Sequence, residues 1–193
     1  MSETDSPRDD GQVVVRPAVY EDARPIYNLI RLHADRLIVR SLSNVLEHLD
    51  RFLVAEARPE GRVVGALCYG LWPEIGDAMR TSAELQSVCV DGEWRRRGVG
   101  RRLVEAQIDR LRALHVWQIV VLTYEVRFFE RLGYREADKR TLMYKLYTGC
   151  INCSKHENPF TCPEHAMVLS VGRPDAEAPS AAPPFPAPPF PAS

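Results

Sequence analysis

Val88-Cys89-Val90-Asp91-Gly92-Glu93-Trp94-Arg95-Arg96-Arg97-Gly98-Val99-Gly100-Arg101-Arg102-Leu103 joins an apolar strand to a helix that opens with Gly-x-Gly. Five arginines fall between Arg95 and Arg102. Cations at a helix N-terminus oppose the macrodipole, so the arrangement is locally unfavourable without an anion. Free backbone N–H groups, glycines that permit close approach and guanidinium groups together make a phosphate cradle. A solvated arginine-rich helix start is the plainer alternative. Two other phosphate loops do not fit. Gly-x-x-x-x-Gly-Lys is absent, and Leu103 stands where the dinucleotide fingerprint needs its third glycine.

The surroundings of this stretch read as alternating strands and helices. Before it, Ala83 to Val90 reads as a strand. After it, Val99, Leu103, Ile108, Leu111 and Leu114 recur at helical spacing and form one buried stripe. Upstream, Gln12 to Arg16 suits a first strand. Ala23, Ile26, Leu29, Ile30 and His33 share a helix face, with His33 read as packing. Ser43 to Asp50 reads as a second helix capped by Ser43. Phe52 to Ala57 and Arg62 to Leu71 flank Arg58-Pro59-Glu60-Gly61 as a hairpin, and Trp72 to Ser82 reads as a long loop. Downstream, Ile119 to Thr123 is a short buried strand and Val126 to Leu132 a helix stopped by Gly133. Tyr134 to Ala137 and Leu142 to Tyr147 are expected to close the fold as strands. The pattern predicts an α/β architecture, a mixed central sheet flanked by helices.

Bulk properties narrow the class. The 193-residue chain has a net charge of −1, which gives no general attraction to nucleic acid or to an anionic membrane. The polar start, Met1 to Gly11, has no secretory pattern. The most apolar run, Val63 to Trp72, is too short to span a bilayer. Five cysteines are few for a disulfide scaffold. A cytoplasmic protein with no nucleic-acid or membrane partner is expected, and a homodimer is compatible with this reading. Residues 1–11 and 173–193 read as disordered ends. The latter repeats Pro-Pro-Phe-Pro, which favours polyproline II. The expected organisation is a folded α/β domain over 12–149, then a cysteine-bearing extension over 150–172 packed on it.

Arg95 to Gly100, as Arg-x-x-Gly-x-Gly, resembles the acyl-CoA diphosphate loop of the GNAT acetyltransferase superfamily. Phe128-Phe129-Glu130-Arg131-Leu132-Gly133-Tyr134 resembles that superfamily's aromatic pair, Leu-Gly and following aromatic residue. Residues 12 to about 170 are similar to one branch, the short single-domain N-acetylglutamate synthases. Leu37-Ile38-Val39-Arg40-Ser41, Ala83-Glu84-Leu85-Gln86-Ser87-Val88-Cys89-Val90, Leu122-Thr123-Tyr124 followed by Phe128-Phe129-Glu130, and Cys150-x-x-Cys153 with Cys162-Pro163-Glu164-His165-Ala166-Met167 carry that narrower likeness by their order and spacing. The sequence departs from the branch at Leu142-Met143-Tyr144-Lys145, where Leu-Pro-His-Lys is usual.

The resemblance implies acetyl-CoA as cosubstrate and transfer of its acetyl group to the α-amine of an amino acid, L-glutamate first. It implies that Val88, Cys89 and Val90 pair through their backbones with the pantetheine arm. Arg95, Arg96, Arg97, Gly98, Val99, Gly100 and Arg101 would hold the diphosphate. Glu84, an acid inside an apolar strand, is the candidate general base, and an edge glutamate pairing with a nearby arginine is its plainer reading. Arg40 and Lys145, at basic positions of the resembling branch, are the candidate cations for a substrate carboxylate, with a surface ion pair as the plainer reading of each. Phe129 stands where many relatives carry a tyrosine acid. A thiolate leaves without obligatory protonation because a thiol's pKa is near ~8.5. Thr123 and Tyr124 could still donate a hydrogen bond.

Cys150, Cys153, Cys162 and His165 have zinc-like spacing, with free thiols or a disulfide as alternatives. Another amine acceptor, a peptide N-terminus, and a non-catalytic acyl-CoA-binding regulator also stay open.

Overall fold

The computed structural model describes residues 13–74, 77–151, 153, 155–156 and 158–172. The expected disordered ends lie outside the described residues. Among the described residues the sheet has seven strands: β1 (Val13–Pro17), β2 (Phe52–Ala57), β3 (Arg62–Glu74), β4 (Asp77–Val90), β5 (Gln118–Thr123), β6 (Arg135–Ala137) and β7 (His165–Ser170). Their order is β1-β2-β3-β4-β5-β7-β6. β4 and β5 run parallel, and the other neighbours are antiparallel. The mixed sheet flanked by helices agrees with the sequence reading.

The helices are α1 (Ala23–Arg31), α2 (Leu42–Glu47), α3 (Val99–Ala113), α4 (Val126–Glu130) and a single turn, α5 (Met143–Lys145). α3 buries Val99, Leu103, Val104, Ile108 and Leu111 on the sheet, while Leu114 is left exposed, against expectation. The helix lies so close to β3 that a Cβ on Gly65 would come 2.8 Å from Leu103 Cδ1. Phe129 of α4 joins the same core. On the opposite face α1 and α2 bury Ile26, Ile30 and Val45 with Phe52 and Val54.

Five local expectations need correction. α2 is capped by Ser41, whose side chain accepts from Asn44 N, so the cap lies two residues before Ser43. Much of Trp72 to Ser82 belongs to β3 and β4 rather than to a loop. Met143 to Tyr147 is helical, the turn α5 running straight into a π-helix over Leu146–Cys150. Leu142 and Leu146 satisfy a period of two as well as a helical turn. The turn wins because both are buried and Leu146 N donates to Leu142 O at 3.0 Å. The closing strand is instead β7, between β5 and β6. The segment after Gly149 therefore supplies part of the sheet itself, and is more than an extension packed on it. Lastly, α1 ends at Arg31, so His33 lies beyond the helix.

β4 positions the site through one irregularity. Its pairing with β5 is confined to Ser82, Ala83 and Glu84. Beyond Glu84 the register with β3 shifts between Ala66 and Cys68, and Ser87 takes a left-handed φ of 54°. Such a bulge bends a strand and re-aims its side chains. β5 meanwhile continues to Thr123 alongside β7. A wedge opens between the two parallel strands.

Candidate active site

A cavity of about 480 Å³ lies at this wedge, within the range typical of small-molecule sites. Glu84 to Ser87 of β4 line it, with Arg36 to Ser41 before α2, Leu122 of β5 and Tyr124 just beyond that strand. Lys139, Lys145 and residues between Gly149 and Glu164 complete the lining.

Three of the residues singled out in the sequence meet there. Glu84 is 4% exposed. Its Oε1 lies 2.6 Å from Lys145 Nζ, and its Oε2 accepts from Gln86 Nε2 at 2.5 Å. The ion pair answers the cost of burying a carboxylate. Lys145 is thereby engaged with Glu84, whereas the resemblance had implied a grip on a substrate carboxylate.

Arg40 lies in the segment just before the Ser41 cap. Its Nε donates to Ser87 Oγ at 2.9 Å, Nη1 to Asn44 Oδ1 at 2.6 Å and Nη2 to Gln86 Oε1 at 2.6 Å. All three acceptors are neutral. Among the described residues Arg40 has no carboxylate partner. A guanidinium has five N–H donors in a rigid fork, so two remain for a ligand. Gln86 thus links the two charged groups, since its oxygen faces Arg40 and its amide nitrogen faces Glu84. That chemistry fixes which way the amide points.

Gln86, Ser87 and Asn44 were not singled out in the sequence. Gln86 could have been, because residues two apart on a strand share a face and Glu84 was already marked. His33 is not mere packing either, because it contacts the Val90 carbonyl and Arg95.

The arginine loop stands at the far end of β4 and does not line this cavity. Val88 and Val90 are half-buried on the strand. The Cys89 side chain turns into the core beside Ala66 and Cys68, so only its backbone could serve a ligand. Burial pushes the Cys89 thiol up to about 12. Arg96 and Gly98 both take left-handed backbone, with φ of 61° and 78°. Gly98 is the N-cap of α3 and uses no side-chain cap. The first N–H groups of a helix have no intrahelical partner, which leaves Val99, Gly100 and Arg101 amides for an anion. Val99 itself is buried, and a Cβ on Gly100 would meet Val90 and Phe128 at ordinary contact distance. Among the arginines, Arg95 contacts His33, Arg97 stacks over Trp94 at 5.1 Å, and Arg101 pairs with Glu105 at 2.8 Å. Arg96 is exposed and has no side-chain partner among the described residues.

The cysteine segment closes the cavity's third side. Cys150, Cys153 and Cys162 line it as free thiols, and burial pushes Cys150 and Cys162 above the usual thiol range. His165 lies instead at the start of β7, with Nδ1 2.6 Å from Glu136. Among the described residues no three His, Cys, Asp or Glu side chains form a group able to hold a metal ion. Thr123 Oγ1 accepts from Glu125 N, and Tyr124 OH lies 3.2 Å from His156 Nε2. Phe129 is buried against Tyr134 in the core. Among the described residues no helix is long and apolar enough to cross a membrane.

Comparison with known proteins fits this geometry. Residues 48–136 match the acetyltransferase (GNAT) domain. An uncharacterized N-acetyltransferase of Chlorobaculum tepidum is 33% identical over 159 residues, covering 81% of this chain and 96% of that protein. An amino-acid acetyltransferase of Mycobacterium tuberculosis is 32% identical over 139 residues, covering 70% and 75%. Among solved structures, a Mycobacterium tuberculosis protein in complex with CoA aligns at TM-score 0.67 and 24% identity, over 81% of this chain and 98% of that one. N-acetylglutamate synthase from Neisseria gonorrhoeae, complexed with coenzyme A and N-acetyl-glutamate, aligns at TM-score 0.64 and 22% identity, over 83% of this chain and 35% of that one. With a bulged central strand, a glycine-arginine turn at its end and these relatives, the chain belongs to the GNAT acetyltransferase family, N-acetyltransferases that take acetyl-CoA as cosubstrate.

Proposed function

We propose that the protein transfers the acetyl group of acetyl-CoA to the α-amine of an amino acid, L-glutamate first among them. The observation that carries this reading is Arg40. It is a guanidinium fixed by three neutral acceptors, open to a carboxylate, and one glutamine away from a buried acid. Likeness to an amino-acid acetyltransferase supports it.

The diphosphate sits on the Arg95 to Arg101 turn, held by amides and charge-assisted contacts. The pantetheine arm runs along Val88 to Val90, and a backbone N–H there polarises the thioester carbonyl. Arg40 takes the acceptor's α-carboxylate. Glu84 receives the proton that the ammonium must lose, through a water. Lys145 keeps that carboxylate in place, and the free amine attacks the carbonyl carbon. The tetrahedral intermediate collapses, the C–S bond breaks, the electron pair leaves on the coenzyme A sulfur, and the second proton shed by the new amide nitrogen passes through water to that thiolate. On this reading the protein works in the cytoplasm, at the first step of arginine biosynthesis, and a homodimer is compatible with it.

Thiol release from acetyl-CoA, measured in the presence of each of the common amino acids in turn, tests the proposal. Glutamate should give the highest kcat/KM. Release with another amine alone would reassign the acceptor. No release with any acceptor, despite tight coenzyme A binding, would mark a regulator instead.

A further inference from the structure

His33 follows the C-terminus of α1 and is held at both ring nitrogens. Nε2 lies 3.1 Å from the Val90 carbonyl oxygen at the end of β4, and Nδ1 lies 3.0 Å from Nη2 of Arg95. A guanidinium only donates and a carbonyl only accepts. Nδ1 is therefore the acceptor and Nε2 carries the proton. We propose that His33 is a positioning residue for coenzyme A, a neutral imidazole strut that aims Arg95 at the diphosphate and lets go of it on protonation. This rests on the reading of Arg95 to Gly100 as the diphosphate seat.

The strut crosses three separate pieces of chain: the end of α1, the end of β4 and the glycine-arginine turn. Arg95 is otherwise an exposed, rotamer-rich side chain, and ordering such a chain before the ligand arrives reduces the entropy lost on binding. Protonation makes Nδ1 a second donor facing a cation, so attraction becomes repulsion.

The charged groups facing the ring are Arg95 from the turn, Asp91 from the end of β4 and Asp35 from the segment after α1. Burial, then the Arg95 charge, pull the imidazole below the usual histidine range, against the Val90 carbonyl and the two aspartates. The strut is intact at neutral pH. The affinity tied to it is present above that lowered value and is lost as pH falls through it.

Calorimetric titration of the full chain with coenzyme A, from about pH 7.5 to about pH 5, tests the proposal. At neutral pH His33→Ala should weaken binding by about fivefold, the net scale of one ordinary hydrogen bond. His33→Gln, with one acceptor and one donor that do not titrate, should restore it. Acidification should weaken wild type by about fivefold more than His33→Gln, which carries the ligand's own phosphate titration as a control. In an Arg95→Ala background His33→Ala should add nothing. Wild-type affinity in His33→Ala, or an undiminished acid slope in His33→Gln, would overturn the strut while leaving the seat intact. Unchanged affinity on neutralising Arg95, Arg96, Arg97 and Arg101 together would overturn the seat, and the strut with it.

Discussion

At Arg40 three neutral acceptors take three of the five guanidinium N–H groups, the guanidinium lies over the Phe52 ring at 5.9 Å, and no carboxylate among the described residues pairs with it. Arg40→Ala should raise the KM for the amino acid by about tenfold to hundredfold, the scale of a charge-assisted fork, with little change for acetyl-CoA. Arg40→Lys should not restore it, because an ammonium cannot make the bidentate contact. Steady-state kinetics with each substrate varied in turn decides this, and equal effects on both KM values would remove Arg40 as the clamp. A subtler test lies across the sheet. A Cβ added at Gly70 would stand 3.1 Å from Gln86 Nε2. Gly70→Ala should push the amide off Glu84 and Arg40 and lower kcat/KM by about tenfold, since small misplacements in a site are costly. Its melting temperature should move little, because the neighbour that gives way is the end of a flexible side chain. The residue scale also shows what a sequence can hide. Glu84 was visible as an acid within an apolar strand. The value of Gln86 lies wholly in its two partners, one of them on a distant segment.

Among the elements, β1, β2 and the entry to α1 are tied by charge. Arg16 donates to both oxygens of Asp22, at 2.6 and 3.0 Å, and to Glu56 at 2.8 Å. Burial works against an ionised Asp22, but the hydrogen bonds from Arg16 and from Val19 N outweigh it and hold the carboxyl below its usual range. A carboxyl depressed in the folded state stabilises above its unfolded value of about 3.9, and that contribution is lost as pH falls through the folded value. Asp22→Asn should therefore cost stability near neutral pH and show a flatter loss below about pH 4 than wild type in denaturant titrations. Elements with one strong periodicity were legible: α3 by its stripe, the β2–β3 hairpin by its turn. Others were not. Leu142, Tyr144 and Leu146 fit two periods at once, and the apolar run of β7 was overshadowed by the cysteine and histidine spacing beside it. Ile30 and His33 share helical spacing, yet the helix stops between them.

For the molecule as a whole, the decisive feature is that β7 is hydrogen-bonded to β5 along six residue pairs and carries β6 on its other side. Truncation after Gly149 should not leave a folded catalytic unit. It removes buried Ala166 and Met167 and strips β5 of one of its two partners, the one it pairs with along its whole length. Far-UV circular dichroism and a thermal melt of the shortened chain should show no cooperative transition. A sharp transition would restore a domain ending at Gly149. The same strand completes the cavity's surroundings, since the thiol-lined segment runs between α5 and β7.

A ribosome makes β5 long before it makes β7. Until His165 to Ser170 emerges, the nascent chain carries an apolar ribbon, Ile119 to Val121, whose outer hydrogen-bonding edge has nothing to pair with. Unpaired edges of this kind recruit other chains. Translation that stalls between the two strands should therefore yield products held by chaperones or lost to inclusion bodies.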